Sequence, residues 1–197
     1  MKMQKYFAEL LATFALTFAV LSSLAVNLAV PTPLLAALVV GVFVYTIGPI
    51  SGAHINPAVT VAVWVLKKIE GRDAGFYIVA QVLGAAVAFG LAKVVFGFEY
   101  ATGLALFDWK VVVGEVLGAF ILMFGIASVV IGKVKAEASG LVIGGSLLVG
   151  LMLVGGMSNA ILNPAVAIGV GTVSVAHILG PIAGTVLGAL AYKGLKS

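Results

Sequence analysis

The tripeptide Asn-Pro-Ala occurs twice, and its side chains suit a site at which amide groups bind an uncharged molecule. The two copies are Asn56-Pro57-Ala58 and Asn163-Pro164-Ala165. Asparagine is a good N-cap, and proline fits the first helical position, where its missing N–H is not needed. When the amide oxygen caps a helix, the NH2 group remains free to donate to a molecule beyond the helix end.

The apolar stretches after the two copies, residues 59–66 and 166–170, predict two half-length helices. A helix needs about 20 residues to cross a bilayer, so neither stretch is long enough. Irregular backbone at membrane depth is tolerated only where protein buries it or where it lines a cavity. One copy could be an ordinary capped turn, but two copies at matching places in two halves predict a pair of half-helices.

The composition is that of an integral membrane protein. The chain has 197 residues, of which 62% are hydrophobic and 9% are charged, whereas soluble domains carry about 25% charged residues. The absence of cysteine excludes disulfides and thiolate chemistry. We also expect no cofactor, no metal site, no nucleic-acid partner and no enzymatic activity, because no paired ligands or nucleophile with a base stand out.

Hydrophobic runs predict an all-α membrane protein with six transmembrane spans in a single domain, residues 1–197. Gly48–Gly52 and residues 155–158 are expected to break the second and fifth spans before each half-helix. The predicted spans are Tyr6–Val26, Leu34–Ile47, Phe76–Phe96, Val111–Ile131, Gly140–Val154 and Ala176–Tyr192. Close helix packing is expected at Gly84, Gly90, Gly118, Gly180, Gly184 and Gly188.

The distribution of basic residues predicts that both termini are cytoplasmic. Nine of the eleven Lys and Arg residues fall on the side of the two termini, which the positive-inside rule makes cytoplasmic. Only Lys93 and Lys110 fall on the other side. The first span has no cleavage site before a polar domain, so we expect it to be retained in the mature protein.

An internal repeat divides the chain into halves of about residues 1–100 and 101–197. Glu9 and Glu115 stand 106 residues apart, and Asn56 and Asn163 stand 107 apart. Three spans per half is an odd number, so the halves must have opposite orientations. Inverted repeats with broken helices that meet at the midplane are a transport architecture.

The polar residues around the two motifs are expected to support the irregular backbone. Glu9 and Glu115 should accept hydrogen bonds from the backbone before each half-helix, with a proton relay as the alternative. His54 should donate to loop backbone, or else gate by protonation, and Gln81 should tie down a loop. Tyr77 and His177 are expected at the membrane interface.

Half-helices that meet N-terminus to N-terminus should repel cations, because each N-terminus carries roughly +0.5 of an elementary charge. A neutral molecule can accept hydrogen bonds from both asparagine amides. This predicts a passive channel for water or small uncharged solutes, with no chemical step. The alternatives are a secondary transporter and a structural membrane protein with a closed pore.

These residues resemble the aquaporin, or major intrinsic protein, family. Ser51–Thr60 is close to the first signature of the family, the second Asn-Pro-Ala is equally placed, and Glu9, Gln81 and Glu115 match family positions. The resemblance implies a right-handed bundle of six helices with two re-entrant half-helices. It also implies one pore per subunit and a homotetramer in the cell membrane.

The chain departs from the family at the outer selectivity filter. The family usually has Arg after the second Asn-Pro-Ala, where this chain has Val166, and often has Gly where this chain has Asn159. The resemblance places the rest of the filter at Ala36, Leu151 and Ala160. We expect a wide, apolar constriction that passes glycerol-like solutes. A narrow apolar ring that hinders water is the alternative.

Overall fold

A computed structural model describes residues 2–26, 28–99 and 108–196, without the side chain of Lys2. Asn27, in the expected turn after the first span, and residues 100–107, in the expected loop before the fourth, lie outside the described residues. Eight α-helices are described, and a 3-10 turn at Ala136–Ala138 precedes the sixth. Their bounds are α1 Lys2–Ala25, α2 Thr32–Ser51, α3 Pro57–Val65, α4 Gly71–Phe96, α5 Trp109–Val130, α6 Ser139–Val154, α7 Pro164–Gly169 and α8 Val175–Lys196.

Six of these helices are long and apolar enough to cross a membrane, which confirms the predicted spans. The remaining two, α3 and α7, have nine and six residues and follow the Asn-Pro-Ala motifs. The fold is therefore an all-α membrane protein in which two re-entrant half-helices accompany six transmembrane helices.

The second span ends four residues later than predicted, at Ser51 and not at Ile47, although its end still lies within the predicted break at residues 48–52. Helix α2 continues through Pro49 and ends at Ser51, where Gly52 adopts a left-handed conformation (φ 89°) and donates its N–H to Gly48 O. Proline removes only one helical hydrogen bond, while apolar surroundings favour keeping all the others. The glycine cap, and not the proline, ends the helix.

The half-helices cross between the two halves of the chain. Within the first half, α1 packs on α4, and within the second half, α5 packs on α8. Helices α2 and α6, which belong to different halves, also pack on each other. Half-helix α3 packs chiefly on α8, and α7 packs chiefly on α4. Each half thus supplies one element of the other half's core.

Close helix crossings coincide with most of the predicted glycines. A Cβ added at Gly84 would lie 2.3 Å from Leu10 O, and one at Gly184 would lie 2.2 Å from Val116 O. Gly118, Gly180 and Gly188 are similarly tight. The expectation for Gly90 is wrong, because a Cβ there would meet nothing within 4 Å.

Candidate functional site

The N-termini of the two half-helices meet through their asparagines. Asn56 Oδ1 accepts from Ala58 N at 2.8 Å, and Asn163 Oδ1 accepts from Ala165 N at 3.0 Å. Each amide also donates across the meeting point, from Asn56 Nδ2 to Leu162 O at 2.8 Å and from Asn163 Nδ2 to Ile55 O at 3.0 Å. An amide NH2 has two N–H groups, so each asparagine retains one for another acceptor.

The segment before α3, the first loop (residues 52–56), is held by Glu9. This carboxylate is fully buried and accepts from Ser51 Oγ at 2.7 Å, His54 N at 2.9 Å and Ile55 N at 2.7 Å. Gln81 Nε2 is the fourth donor, at 2.8 Å. A buried charge is tolerable when it is hydrogen-bonded in this way.

The segment before α7, the second loop (residues 155–163), is held in the same way by Glu115. This carboxylate is also fully buried and accepts from Ser158 Oγ at 2.9 Å, Ile161 N at 3.0 Å and Leu162 N at 2.7 Å. Ser51 and Ser158 were missed from the sequence. Their separation of 107 residues, the same as that of the two asparagines, was the available signal.

Both loops contain non-glycine residues with positive φ. The angles are 50° and 59° at Ala53 and Ile55, and 49° and 55° at Ala160 and Leu162. Each left-handed residue costs roughly 1–2 kcal/mol. From the first of these residues in each loop to the asparagine, positive and negative φ alternate, and this turns successive N–H groups toward the buried glutamate. The charge-assisted hydrogen bonds that result offset the conformational cost.

The side chain of His54 contacts a hydroxyl and not the expected loop backbone. Its Nδ1 lies 3.1 Å from Thr60 Oγ1, while its backbone N–H binds Glu9. Gln81 Nε2 also donates to Thr60 Oγ1, at 3.0 Å. These contacts join α3, α4 and the first loop.

Two residues expected at the interface are buried instead. Tyr77 is 3% exposed, and its hydroxyl donates to Ser51 O at 2.7 Å. His177 is also 3% exposed and lies beside Glu115. Each carries a polar group that lies beside a residue at the buried end of a loop. The expectation that aromatic and histidine residues near span ends lie at the membrane interface does not take such contacts into account.

One cavity of about 1260 Å³ is lined by residues from both ends of the helix bundle. Lys68 and Asp73 line it at one end, Asn56 and Asn163 in the middle, and Thr172 at the other end. The four residues of the expected outer filter also line it, namely Ala36, Leu151, Ala160 and Val166. Asn159 lines it as well.

The charges that reach this cavity are concentrated at one end. Among the described residues the charged lining side chains are Lys5, Lys68, Glu70 and Asp73, and Lys5 Nζ pairs with Asp73 at 2.5 Å. Glu9 and Glu115 are absent from that lining, because they lie behind the loops that they hold. The middle therefore offers amide groups and helix N-termini to a neutral molecule.

Comparisons with known proteins agree on one family. Residues 1–192 match the family model described as major intrinsic protein. The chain is 35% identical over 211 residues to Aquaporin NIP1-1 of Zea mays, covering 98% of this chain and 75% of that protein. It is 34% identical over 176 residues to Aquaporin AqpM of Methanothermobacter thermautotrophicus, covering 78% and 72% of the two chains.

A solved structure shares the fold. The aquaglyceroporin from Plasmodium falciparum superposes with a TM-score of 0.69 at 20% identity, covering 99% of this chain and 95% of that one. At this identity the likeness concerns the arrangement of the helices alone.

Proposed function

This chain belongs to the major intrinsic protein family, and we propose that its cavity conducts water and small uncharged solutes past Asn56 and Asn163 while rejecting ions. Family and fold together make it a passive channel in the membrane. The observation that carries the proposal is the cavity of about 1260 Å³, which has Asn56 and Asn163 at its middle and residues from both ends of the bundle along its wall. No chemical step is required of any residue.

Ion rejection follows from the meeting of α3 and α7. A cation there would face two helix N-termini after losing its water, and no carboxylate lines the middle of the cavity among the described residues. A water molecule can instead accept from the remaining N–H groups of Asn56 and Asn163. Held in this way, it directs its own hydrogens outward, which interrupts a proton wire.

Solute size is set, in this proposal, by Ala36, Leu151, Ala160 and Val166. Their side chains are small or aliphatic, and none carries a charge or a strong donor. A glycerol-like molecule would not have to displace a bound charged group there, so we expect it to pass. Glu9, Glu115, Gln81 and His54 act in support, since their hydrogen bonds hold the two loops.

Stopped-flow shrinkage of proteoliposomes tests both parts of the proposal. With sorbitol outside, the channel should accelerate shrinkage relative to protein-free liposomes. With glycerol outside, shrinkage should be followed by fast re-swelling as glycerol enters. Fast water flux with glycerol excluded would contradict the wide constriction. Slow water flux with fast glycerol flux would indicate an apolar ring that water wets poorly, and no flux of either kind would contradict the channel.

We also propose that both termini are cytoplasmic, on the basis of the nine basic residues on their side. The natural chain has no cysteine, so single cysteines can be introduced without a background. A membrane-impermeant maleimide applied to intact cells should label Asp108→Cys and spare Glu137→Cys. Labelling in the reverse order would overturn this orientation.

The family suggests a homotetramer in which every subunit has its own pore. The cavity is lined by residues of a single chain, which supports the expectation of one pore per subunit. Light scattering in detergent should give a protein mass of four copies of the 20.0 kDa chain. A monodisperse monomer that conducts after reconstitution would overturn the assembly and leave the channel intact.

A further inference from the structure

His177 presents an unpartnered ring nitrogen to the carboxylate that holds the second loop. Its Nδ1 lies 2.8 Å from Ser174 Oγ, while its Nε2 is buried and has no hydrogen-bond partner among the described residues. The nearest oxygen of Glu115, Oε1, is 3.9 Å from Nε2, and Glu115 is fully buried. A buried polar group left without a hydrogen-bond partner is costly, so this nitrogen calls for an explanation.

The hydrogen bonds of Ser174 indicate which nitrogen carries the proton in the neutral ring. Ser174 Oγ accepts the backbone N–H of His177 at 3.3 Å, which leaves the hydroxyl hydrogen free to be donated to Nδ1. The proton of the neutral ring then sits on Nε2 and faces Glu115. When a second proton binds Nδ1, the hydroxyl can rotate and accept from it.

In the first loop, the place that corresponds to His177 is taken by an amide, which cannot take up a proton. Gln81 Nε2 is 2.8 Å from Glu9 Oε2, at hydrogen-bonding distance, and completes a set of four donors around that carboxylate. Glu115 has three donors and the more distant imidazole. The two loops thus differ in one group, an amide that cannot take up a proton beside Glu9 and an imidazole that can beside Glu115.

We propose that His177 is a positioning residue for the second loop, and that its protonation pulls Glu115 away from that loop and lowers permeability. The inference rests on the proposed channel function. An imidazolium attracts the carboxylate, and a charge-assisted hydrogen bond would shorten the 3.9 Å gap to about 2.8 Å. Oε1 would therefore move by up to about 1 Å toward α8.

That movement reaches the wall of the cavity through named contacts. Oε1 is the atom that accepts from Ser158 Oγ and Ile161 N, so its shift lengthens both hydrogen bonds. Ser158 Oγ in turn accepts from Ala160 N, and Leu162 O accepts the amide of Asn56. Ala160 and Asn163 both line the cavity, so the second loop cannot move without changing the path.

The other ionisable groups near α8 do not compete for His177. Helices α3 and α7, which pack on α8, carry no ionisable side chain. On α5, Lys110 and its N-cap Asp108 are exposed near the start of the helix, one turn or more before Glu115. On α8 itself, Tyr192, Lys193 and Lys196 lie at the opposite end.

The test is water permeability measured by stopped flow, with the same pH inside and outside the proteoliposomes. Wild-type permeability should fall by at least roughly threefold as the pH is lowered from about 7.5 to about 4.5, an interval that extends below the range in which a free imidazole changes charge. The profile should be flat in His177→Gln. His54→Gln removes the other histidine of the chain. Because His54 helps to hold the first loop, the absolute permeability of this variant can change, but the fall with pH should remain.

Wild-type permeability that is high and independent of pH would overturn the inference without any variant. A pH-dependent fall that survives in His177→Gln, or that disappears only in His54→Gln, would also overturn it. No flux at any pH would contradict the proposed channel function itself, which is a different failure.

A second readout does not depend on transport or on the folding of the His177 variant. The chain has two histidines, so nitrogen NMR of protein labelled at histidine shows the signals of two imidazole rings, with two nitrogens each, and His54→Gln assigns them. The His177 ring should titrate within the range in which permeability falls. A His177 ring that stays neutral throughout would overturn the inference.

Discussion

Asn56 combines two roles in one side chain, because its oxygen caps α3 while its nitrogen donates to the opposite half of the protein. Ala58 N and Leu162 O are its partners, both at 2.8 Å. A helix cap alone would tolerate Ser, Thr or Asp. The donor toward Leu162 O and the second N–H in the cavity require the amide.

Replacing Asn56 with Ala should therefore cost more than an ordinary cap. Loss of the cap costs about 1 kcal/mol, and the unpaired carbonyl of Leu162 adds about 1–3 kcal/mol. Thermal unfolding in detergent should show a clear fall in midpoint. Asn159→Ala, which removes an exposed amide, is the matched control and should change stability by less than about 0.5 kcal/mol. Equal effects of the two substitutions would contradict the double role.

Val166→Arg tests which residue sets solute size. Val166 is 4% exposed and lines the cavity, so a guanidinium there would enter the proposed constriction with its charge and its five donors. Glycerol permeability should fall by about tenfold relative to water permeability, a loss equivalent to about 1.4 kcal/mol. Val166→Met adds length without charge and should lower the ratio less. An unchanged ratio in Val166→Arg would place the constriction elsewhere.

At the residue scale, the sequence indicated some contacts and not others. The asparagines and glutamates could be identified because they repeat at 106 and 107 residues. The burial of Tyr77 and His177 could not be identified, because it depends on how α4 and α8 pack and not on how far the two residues lie from the ends of the spans. The contact of His54 with Thr60 depends on a side-chain rotation that no spacing determines.

At the scale of elements, the two loops form a natural comparison. Glu9 accepts from four donors and Glu115 from three, while the backbone angles of the two loops nearly coincide. In both loops, a buried glutamate that accepts hydrogen bonds from loop N–H groups holds the backbone in shape. The free energies that the two glutamates contribute should differ by about one hydrogen bond.

Glu9→Gln and Glu115→Gln measure how much each buried carboxylate contributes to the stability of the protein. Each substitution removes the charge and turns an NH2 group toward a donor, and hydrogen bonds to charged groups contribute about 1.5–3 kcal/mol each. Both variants should be destabilised, and Glu9→Gln more so by about 1–2 kcal/mol. Chemical unfolding in mixed micelles would give the two values. A larger loss in Glu115→Gln would show that His177 already binds the carboxylate strongly at neutral pH.

Gly184→Ala tests the closeness of α8 and α5. Its Cβ would lie 2.2 Å from a backbone oxygen of α5, so the helices must separate, at a cost of about 1–3 kcal/mol. Gly90→Ala is the matched control within a helix, where the added Cβ meets nothing within 4 Å. That substitution should be neutral or stabilising by up to about 1 kcal/mol. Similar thermal midpoints for the two variants would contradict the close crossing.

The helices were more predictable than the way in which they end. Hydrophobic runs located all six long helices, because few sequences other than spans are so apolar. The end of α2 was placed wrongly, since proline marks a possible break, whereas the left-handed Gly52 fixes the actual one. The packing of α3 on α8 and of α7 on α4 had no local sequence signal, because it joins residues from opposite halves.

At the scale of the whole molecule, this exchange of half-helices makes the two halves depend on each other. The partner of the Asn56 amide is Leu162, the partner of the Asn163 amide is Ile55, and Thr185 Oγ1 donates to Ala58 O at 2.9 Å. Each of these bonds crosses from one half to the other. A half alone would leave its half-helix without a core to pack on and its asparagine without an acceptor.

Separate expression of residues 1–100 and 101–197 should therefore give no water permeability above that of protein-free liposomes. Two copies of one half cannot replace the missing partner, because identical chains insert with the same orientation and the pore needs opposite ones. Co-expression of the two halves should restore permeability, since the bonds between Asn56 and Leu162 and between Asn163 and Ile55 do not require a continuous chain. Stopped-flow measurements on the three preparations would distinguish these outcomes. Conduction by either half alone would mean that a path forms without the paired asparagines, and water permeation would then not depend on the meeting of α3 and α7.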